Sequence, residues 1–408
     1  MKTITKFELR QLADISEETC VSLYMPGSVG LDSRQNFVRF KNLLREAERK
    51  LGDHGLGTFA VQELLAPARE LLDRPEFWQD VVHGLAVLLG RDGARIWQMS
   101  VACDETCVVG RHFHLLPLLA WLAQEANYYV LAVSQNSVRL FHGSRGNVEE
   151  VALPGLPTNR EQALHYDEPE PALQSHSGQP QAPGKESMVF HGQGGAVDAR
   201  KQEILAFFRE VDRALADFLE TQTEPLIFAG VDYLFPIYQS TNTYPHLLPA
   251  SIPGNPELWS PHDVQQRAWP LAKSAIDERR QGELAKYWDL VSHDRTLNRV
   301  EDIVVAAHAG AVETLFVDPA VHLLGNFFPE AVTVHIDELA GGDAEDLTNL
   351  AAVLVLRGSG WVEITDSGNV PGGGPMSAVL RYVFAPAASS SGATLKPRKT
   401  TMQGARHD

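Results

Sequence analysis

A chain of 408 residues with 52 Asp and Glu against 35 Lys and Arg has a formal charge of −17. That balance excludes nonspecific coating of nucleic acid, DNA included, because neutralising phosphates takes clustered cations. Its 44% hydrophobic, 8% aromatic and 21% charged residues are those of a folded chain, and at roughly 100 to 200 residues per domain the length predicts three domains. Three cysteines, the absence of any run of about 18 apolar residues, and a polar start at Met1-Lys2-Thr3-Ile4-Thr5-Lys6 predict no disulfide framework, no membrane span and no secretory leader. A cytoplasmic protein fits this pattern best.

The first segment, residues 1–125, reads as an α/β domain. Cys20 to Pro26 predicts a strand closed by the Pro26-Gly27 turn signal. From Gln35 to Leu51, Phe37, Phe40, Leu43, Leu44, Ala47 and Leu51 recur at helical spacing, which places them on one face. The opposite face carries Arg34, Arg39, Lys41 and Arg45, a positive stripe that could meet RNA phosphates or be an ordinary solvated helix face. A second helix over Leu64 to Leu72 and strands over His83 to Leu89 and Ala94 to Val101 complete the unit.

The middle segment, residues 126–224, opens with strand-like runs at Tyr128 to Val133, Ser137 to His142 and Val148 to Leu153. Pro154 to Phe190 sustains neither helical nor strand period. It leads into His191-Gly192-Gln193-Gly194-Gly195, and then into a helix predicted over Asp198 to Glu220 from the stripe Ile204, Leu205, Phe208, Val211, Leu215, Phe218 and Leu219. Glycines let backbone amides approach a ligand or a reacting carbonyl closely, and a carboxamide such as that of Gln193 orients water or hydrogen-bonds a reacting group without acting as a base.

The third segment, residues 225–385, begins with the apolar run Pro225 to Val231, which suits a buried strand. Ser260-Pro261 predicts a helix start, with Pro270 expected to kink or break that helix. Gly372-Gly373-Gly374 lacks a following Lys-Ser or Lys-Thr and reads as a tight turn before a last strand. Residues 386–408, rich in Pro, Ala, Ser and Gly, read as a disordered tail.

Two weaker patterns bear on chemistry. Cys103, Cys107, His112 and His114 lie close enough in sequence for zinc, but their spacing matches no standard site, so neither a metal nor another cofactor is expected. No Gly-x-Ser-x-Gly elbow and no His-Glu-x-x-His run occurs, which disfavours standard hydrolase chemistry.

Taken in order, several phrases resemble the bacterial archaeo-eukaryotic (class 1) peptide-chain release factor family. They are Leu23-Tyr24-Met25-Pro26, Gln35-Asn36, Phe40-Lys41-Asn42-Leu43-Leu44, Phe77-Trp78 before Gly84-Leu85-Ala86, Phe190 to Gly195, Pro225 to Val231, and Ala378-Val379-Leu380-Arg381-Tyr382. The resemblance implies an N-terminal α/β domain facing the decoding region, a ribonuclease-H-like middle domain and an L7Ae-like C-terminal domain. In such factors a Gly-Gly-Gln tripeptide helps water cleave peptidyl-tRNA on the ribosome. Here the corresponding loop has one glycine before Gln193 and two after it. His191, Gly192, Gln193, Gly194 and Gly195 are therefore the candidate catalytic residues, with the ribosome and peptidyl-tRNA as implied partners and a protein partner at the C-terminal domain. Termination or rescue of stalled ribosomes is one reading. The other is a noncatalytic ribosome-, RNA- or protein-binding regulatory module that kept the fold.

Overall fold

The computed structural model describes residues 4–17, 19–28, 33–134, 136–159, 193–220, 222–337 and 344–384. The tail expected over 386–408, and His191 and Gly192, lie outside them.

The first unit contains α1 (Lys6–Asp14), β1 (Cys20–Pro26), α2 (Ser33–Asp53), α3 (Thr58–Arg69), α4 (Phe77–Asp80), β2 (Gly84–Gly90), β3 (Gly93–Met99), β4 (Thr106–Gly110) and α5 (Leu116–Glu125). Its strands form one sheet in the order β3-β2-β1-β4, and both neighbours of β1 run antiparallel to it. Side chains alternate across this sheet, as strand geometry requires. Val21, Leu23, Met25, Leu85, Val87 and Leu89 face α2 and α3, where they meet Phe40, Leu43, Leu44, Ala47, Leu51 and Leu65. The other face presents Tyr24, Ala86, Leu88, Trp97 and Met99 to a second core. α1 is fixed by a reciprocal cap: Thr5 Oγ1 accepts from the Glu8 amide at 3.2 Å while Glu8 Oε2 accepts from the Thr5 amide at 3.0 Å.

The middle of the chain follows with β5 (Tyr128–Val133), β6 (Val138–Gly143), β7 (Val148–Val151), α6 (Gln193–Leu219), β8 (Leu226–Gly230), α7 (Phe235–Thr241) and β9 (Leu247–Pro253). These strands make one mixed sheet, β7-β6-β5-β8-β9, antiparallel on the β6 side of β5 and parallel on the β8 side. β8 is the run expected to open the third segment. It pairs in parallel with β5 instead, so the boundary expected between residues 224 and 225 falls inside a single sheet. Its central position explains why it is apolar on both faces. Leu226 and Phe228 pack with Leu131 and Leu140 under Phe208, Val211 and Leu215 of α6, whereas Ile227 and Ala229 pack with Val130 and Phe141 on the opposite side.

That opposite side is covered by α8 (Pro261–Val291), a single helix of 31 residues begun by a Ser260 capping box. Pro270 lies within it without ending it. Val264, Ala268 and Ala272 hold the first half of α8 against the middle sheet. Leu284, Tyr287 and Leu290 hold the second half against Phe316 and Val379 of the next sheet, so packing at both ends outweighs the lost backbone hydrogen bond.

The rest consists of β10 (Thr296–Leu297), α9 (Val300–His308), β11 (Val312–Val317), β12 (Leu324–Phe328), β13 (Thr333–Ile336), β14 (Glu345–Asp346), α10 (Leu347–Arg357), β15 (Trp361–Ile364) and β16 (Met376–Leu380). One sheet runs β10-β16-β11-β15 and a smaller one β13-β12-β14. Gly372, Gly373 and Gly374 have φ of 78°, 79° and 93°, the left-handed turn expected of them. Ile303, Val304, Leu315, Val317, Leu350, Val353, Met376 and Leu380 join the same core as α1, α5 and the second face of the first sheet. No described helix is long and apolar enough to cross a membrane.

Candidate functional site

The structure begins α6 at Gln193, five positions before the expected start at Asp198. Gln193, Gly194 and Gly195 thus form its first turn, where backbone N–H groups have no partner within the helix and can serve an incoming acceptor. The stripe of Ile204, Phe208, Val211, Leu215 and Leu219 seats this 27-residue helix on the middle sheet.

A cleft of about 1050 Å³ lies at the other end of this helix. Trp121, Glu125, Tyr129, His142, Phe218 and Glu224 are among its walls. At 1.5 Å per residue, Phe218 stands roughly 38 Å from Gln193 along α6, so the glycine-bearing turn and this cleft are separate places. Within the cleft, Trp121 Nε1 donates to Glu125 Oε1 at 2.9 Å. Burial lowers the pKa of His142, opposed by the charge of Glu224. Residues from four elements meet here across wide sequence gaps, and no local motif announces them.

The basic stripe divides. Arg34, Lys41 and Arg45 are exposed, and the helical spacing of α2 sets them in one row with exposed Val38. The acidic neighbours are engaged elsewhere: Glu46 with Lys50 at 2.9 Å, Asp53 with Arg49 at 2.8 Å, and Glu48 with Arg69. Arg39 is half-buried, and its guanidinium faces the Pro26 carbonyl and the Ser28 hydroxyl at 3.5 and 3.4 Å. It does not share the row.

The cysteines and histidines singled out in the sequence do not converge. The Cys103 thiol donates to the Met25 carbonyl at 3.3 Å, and burial raises its pKa to about 11. Cys107 lies in the core under α2, and burial raises its pKa to about 11 as well. His112 Nδ1 is 3.5 Å from Glu345. His114 alone joins a group of side chains close enough to share an ion, and its companions among the described residues are His322 and Asp346.

Comparison with known proteins bears on the middle of the chain. The sequence model of bacterial archaeo-eukaryotic release factor family 7 matches residues 128–274, which span the middle sheet, α6 and the first half of α8. No curated protein matches. Among solved structures, an archaeal translation termination factor, aRF1, is similar at 12% identity over 93% of this chain and 99% of its own, with a TM-score of 0.25. Pelota from Archaeoglobus fulgidus gives 14% identity over 93% of each chain and a TM-score of 0.26. A model of ribosome-bound archaeal Pelota and ABCE1 gives 12% identity over 94% of this chain and 95% of the other, with a TM-score of 0.38. Over residues 128–274, then, this chain carries the sequence pattern of bacterial archaeo-eukaryotic release factor family 7.

Proposed function

We propose that the chain is a release-factor-like translation factor that acts on the ribosome in the cytoplasm, with Gln193 at the start of α6 as its working tip. The observation that carries this reading is the family match across residues 128–274, which contains the glycine-bearing turn and the helix that supports it. In the reaction proposed, water adds to the ester carbonyl of peptidyl-tRNA and the terminal hydroxyl of the tRNA leaves with a proton. The Gln193 carboxamide orients the water, and Gly192, Gly194 and Gly195 let the backbone come close. The row Arg34, Lys41 and Arg45 would meet ribosomal RNA phosphates. The first unit, the middle sheet and the C-terminal part would correspond to the N-terminal, ribonuclease-H-like and L7Ae-like domains. Exposed Phe328, Val332 and Ile336 on the β12–β13 hairpin supply a surface for a protein partner at the C-terminal end.

The test is peptide release from purified stalled ribosomes, with co-sedimentation measured in parallel. Wild type should release peptide and Gln193→Ala should lose at least about 100-fold while still sedimenting with ribosomes. Equal release by the two proteins would sink the assignment of Gln193. The glycine order around Gln193 favours a second reading, a noncatalytic ribosome-binding module, whose signature is co-sedimentation without release by either protein. Absence of ribosome binding at moderate salt would remove both.

A further inference from the structure

Three side chains from distant parts of the sequence meet between the first unit and the C-terminal part: His114 just after β4, His322 between β11 and β12, and Asp346 at the start of α10. One donor atom from each lies within 4.8 Å of the other two. Each backbone segment is held before any ligand arrives. The His114 amide donates to Ser22 Oγ at 2.9 Å, and the Tyr24 hydroxyl donates to the His114 carbonyl at 2.5 Å. On either side of it, Asn349 Oδ1 accepts from the Leu115 amide at 2.7 Å and Asn349 Nδ2 donates to the Phe113 carbonyl at 3.0 Å. The His322 loop is tied to the same helix start, since Thr348 Oγ1 donates to the Val321 carbonyl at 3.0 Å and the Leu347 amide to the Leu323 carbonyl at 2.8 Å.

The two oxygens of Asp346 are divided. Oδ1 caps α10, accepting from the Thr348 amide at 3.0 Å, while Oδ2 faces His322 Nδ1 at 2.7 Å. His114 is 2% exposed, yet its Nδ1 has no hydrogen-bond partner, an unusual state for a buried ring nitrogen. His322 is exposed and so leaves the group open to solvent on one side.

The geometry points to a binding site for one divalent transition-metal ion of the zinc class, held by His114, His322 and Asp346, with a fourth position open to solvent. Two imidazoles and one carboxylate are the donor set of open, three-ligand metal sites. Donors bound at about 2.0 to 2.1 Å in a tetrahedron sit roughly 3.3 Å apart, so the 2.7 Å contact of His322 Nδ1 with Asp346 Oδ2 must open as the wider gaps close on the ion. His322, exposed on a loop, supplies that movement, and Asp346 turns Oδ2 to the metal without giving up its cap. A bound ion would pin the first unit to the C-terminal part through residues contributed by both. This site is independent of the ribosomal reading, and neither stands or falls with the other.

The experiment is calorimetric titration of the full chain, stripped with chelator, with Zn²⁺ alone, repeated for His322→Ala and Asp346→Asn. Both substitutions spare the core, and Asp346→Asn keeps the carbonyl oxygen that caps α10. Wild type should bind one equivalent, and each variant should bind at least about tenfold more weakly. Co²⁺ should give the visible absorption of a four-coordinate site in wild type, and His322→Ala should lose it. No binding by wild type up to about 100 μM free Zn²⁺, or a loss below tenfold in either variant, overturns the proposal.

Discussion

Asn36 shows at the scale of one residue what the family phrases record. It is fully buried, and its Nδ2 faces three carbonyls, those of Ser28 at 2.9 Å, Val81 at 3.0 Å and Trp78 at 3.3 Å. It thereby closes the turn after β1 onto the entry to β2. Asn36→Ala leaves those buried carbonyls unserved and should cost about 2 to 4 kcal/mol in denaturant unfolding. A change under about 0.5 kcal/mol would show that water replaces the amide. Phe40, Leu43, Leu44 and Trp78, from the neighbouring phrases, lie in the same core. These phrases therefore mark a fold, and the chemistry has to be sought elsewhere.

Lys6 carries a second residue-scale consequence. Its Nζ bonds Thr223 Oγ1, lies 3.7 Å from Glu224 and sits 4.3 Å from the centre of the Trp361 ring. Burial lowers its pKa from 10.5 to about 8 against the pull of Glu224. Between those values the unfolded chain keeps a proton that the folded chain has released, so stability rises with pH from about 8 towards 10.5. The full effect is about 3 kcal/mol. Burial raises the pKa of Cys20, Cys103 and Cys107 to about 11, which opposes this trend from about pH 9, and raises that of Tyr129 and Tyr244, which opposes it above about pH 10. Between about pH 7 and 9.5 the urea midpoint should therefore rise in wild type relative to Lys6→Met, which keeps the same cysteines and tyrosines. An equally steep rise in the variant would place the linked proton elsewhere.

Among the elements, α8 is the one whose sequence and structure pull apart. Pro270 is exposed within it, so no core contact depends on the ring. Pro270→Ala restores a backbone donor and should stabilise the chain by about 1 to 3 kcal/mol, read as a shift in the denaturant midpoint. Destabilisation would mean that the proline sets a bend on which packing at both ends relies. In α2, exchanging Arg34, Lys41 and Arg45 for Glu should weaken ribosome co-sedimentation and lower its salt dependence, while the same change at Arg49, already paired with Asp53, should do little. Equal effects from both sets would assign the interaction to net charge.

Burial decided which elements were legible in the sequence. α2 shows one clear apolar face, and β1, β5 and β6 are short β-rich runs bounded by turn signals, so period and turn signals located them within a few residues. β8 was visible as a strand but not as part of the middle sheet, because a run apolar on both faces gives no hint of its neighbours. The apolar stripe of α6 begins at Ile204, so nothing in the pattern marks a start at Gln193. His322 and Asp346 lie far along the chain from His114, and only the packing of α10 against the first unit brings them together.

For the whole molecule, the decisive feature is the core shared by the two ends of the chain. α1 contributes Leu9, Leu12 and Ala13 to it, and Arg357 from α10 donates to the Ala13 and Ile15 carbonyls. Leu12→Ala should cost about 2 to 4 kcal/mol. Hydrogen exchange should then accelerate in β1 and α10 together. Acceleration confined to α1 would mean that the ends unfold separately.

The same core constrains how the chain is made. Synthesis runs from the N-terminus, so β1, β2 and β3 emerge first, with Tyr24, Leu88, Trp97 and Met99 on a face whose remaining cover comes from residues 300–380. While most of the chain is being translated, that face has only α1 and α5 to cover it. The nascent protein must therefore carry an adhesive apolar sheet until its last strand arrives, and its yield should depend on how fast the C-terminal part follows.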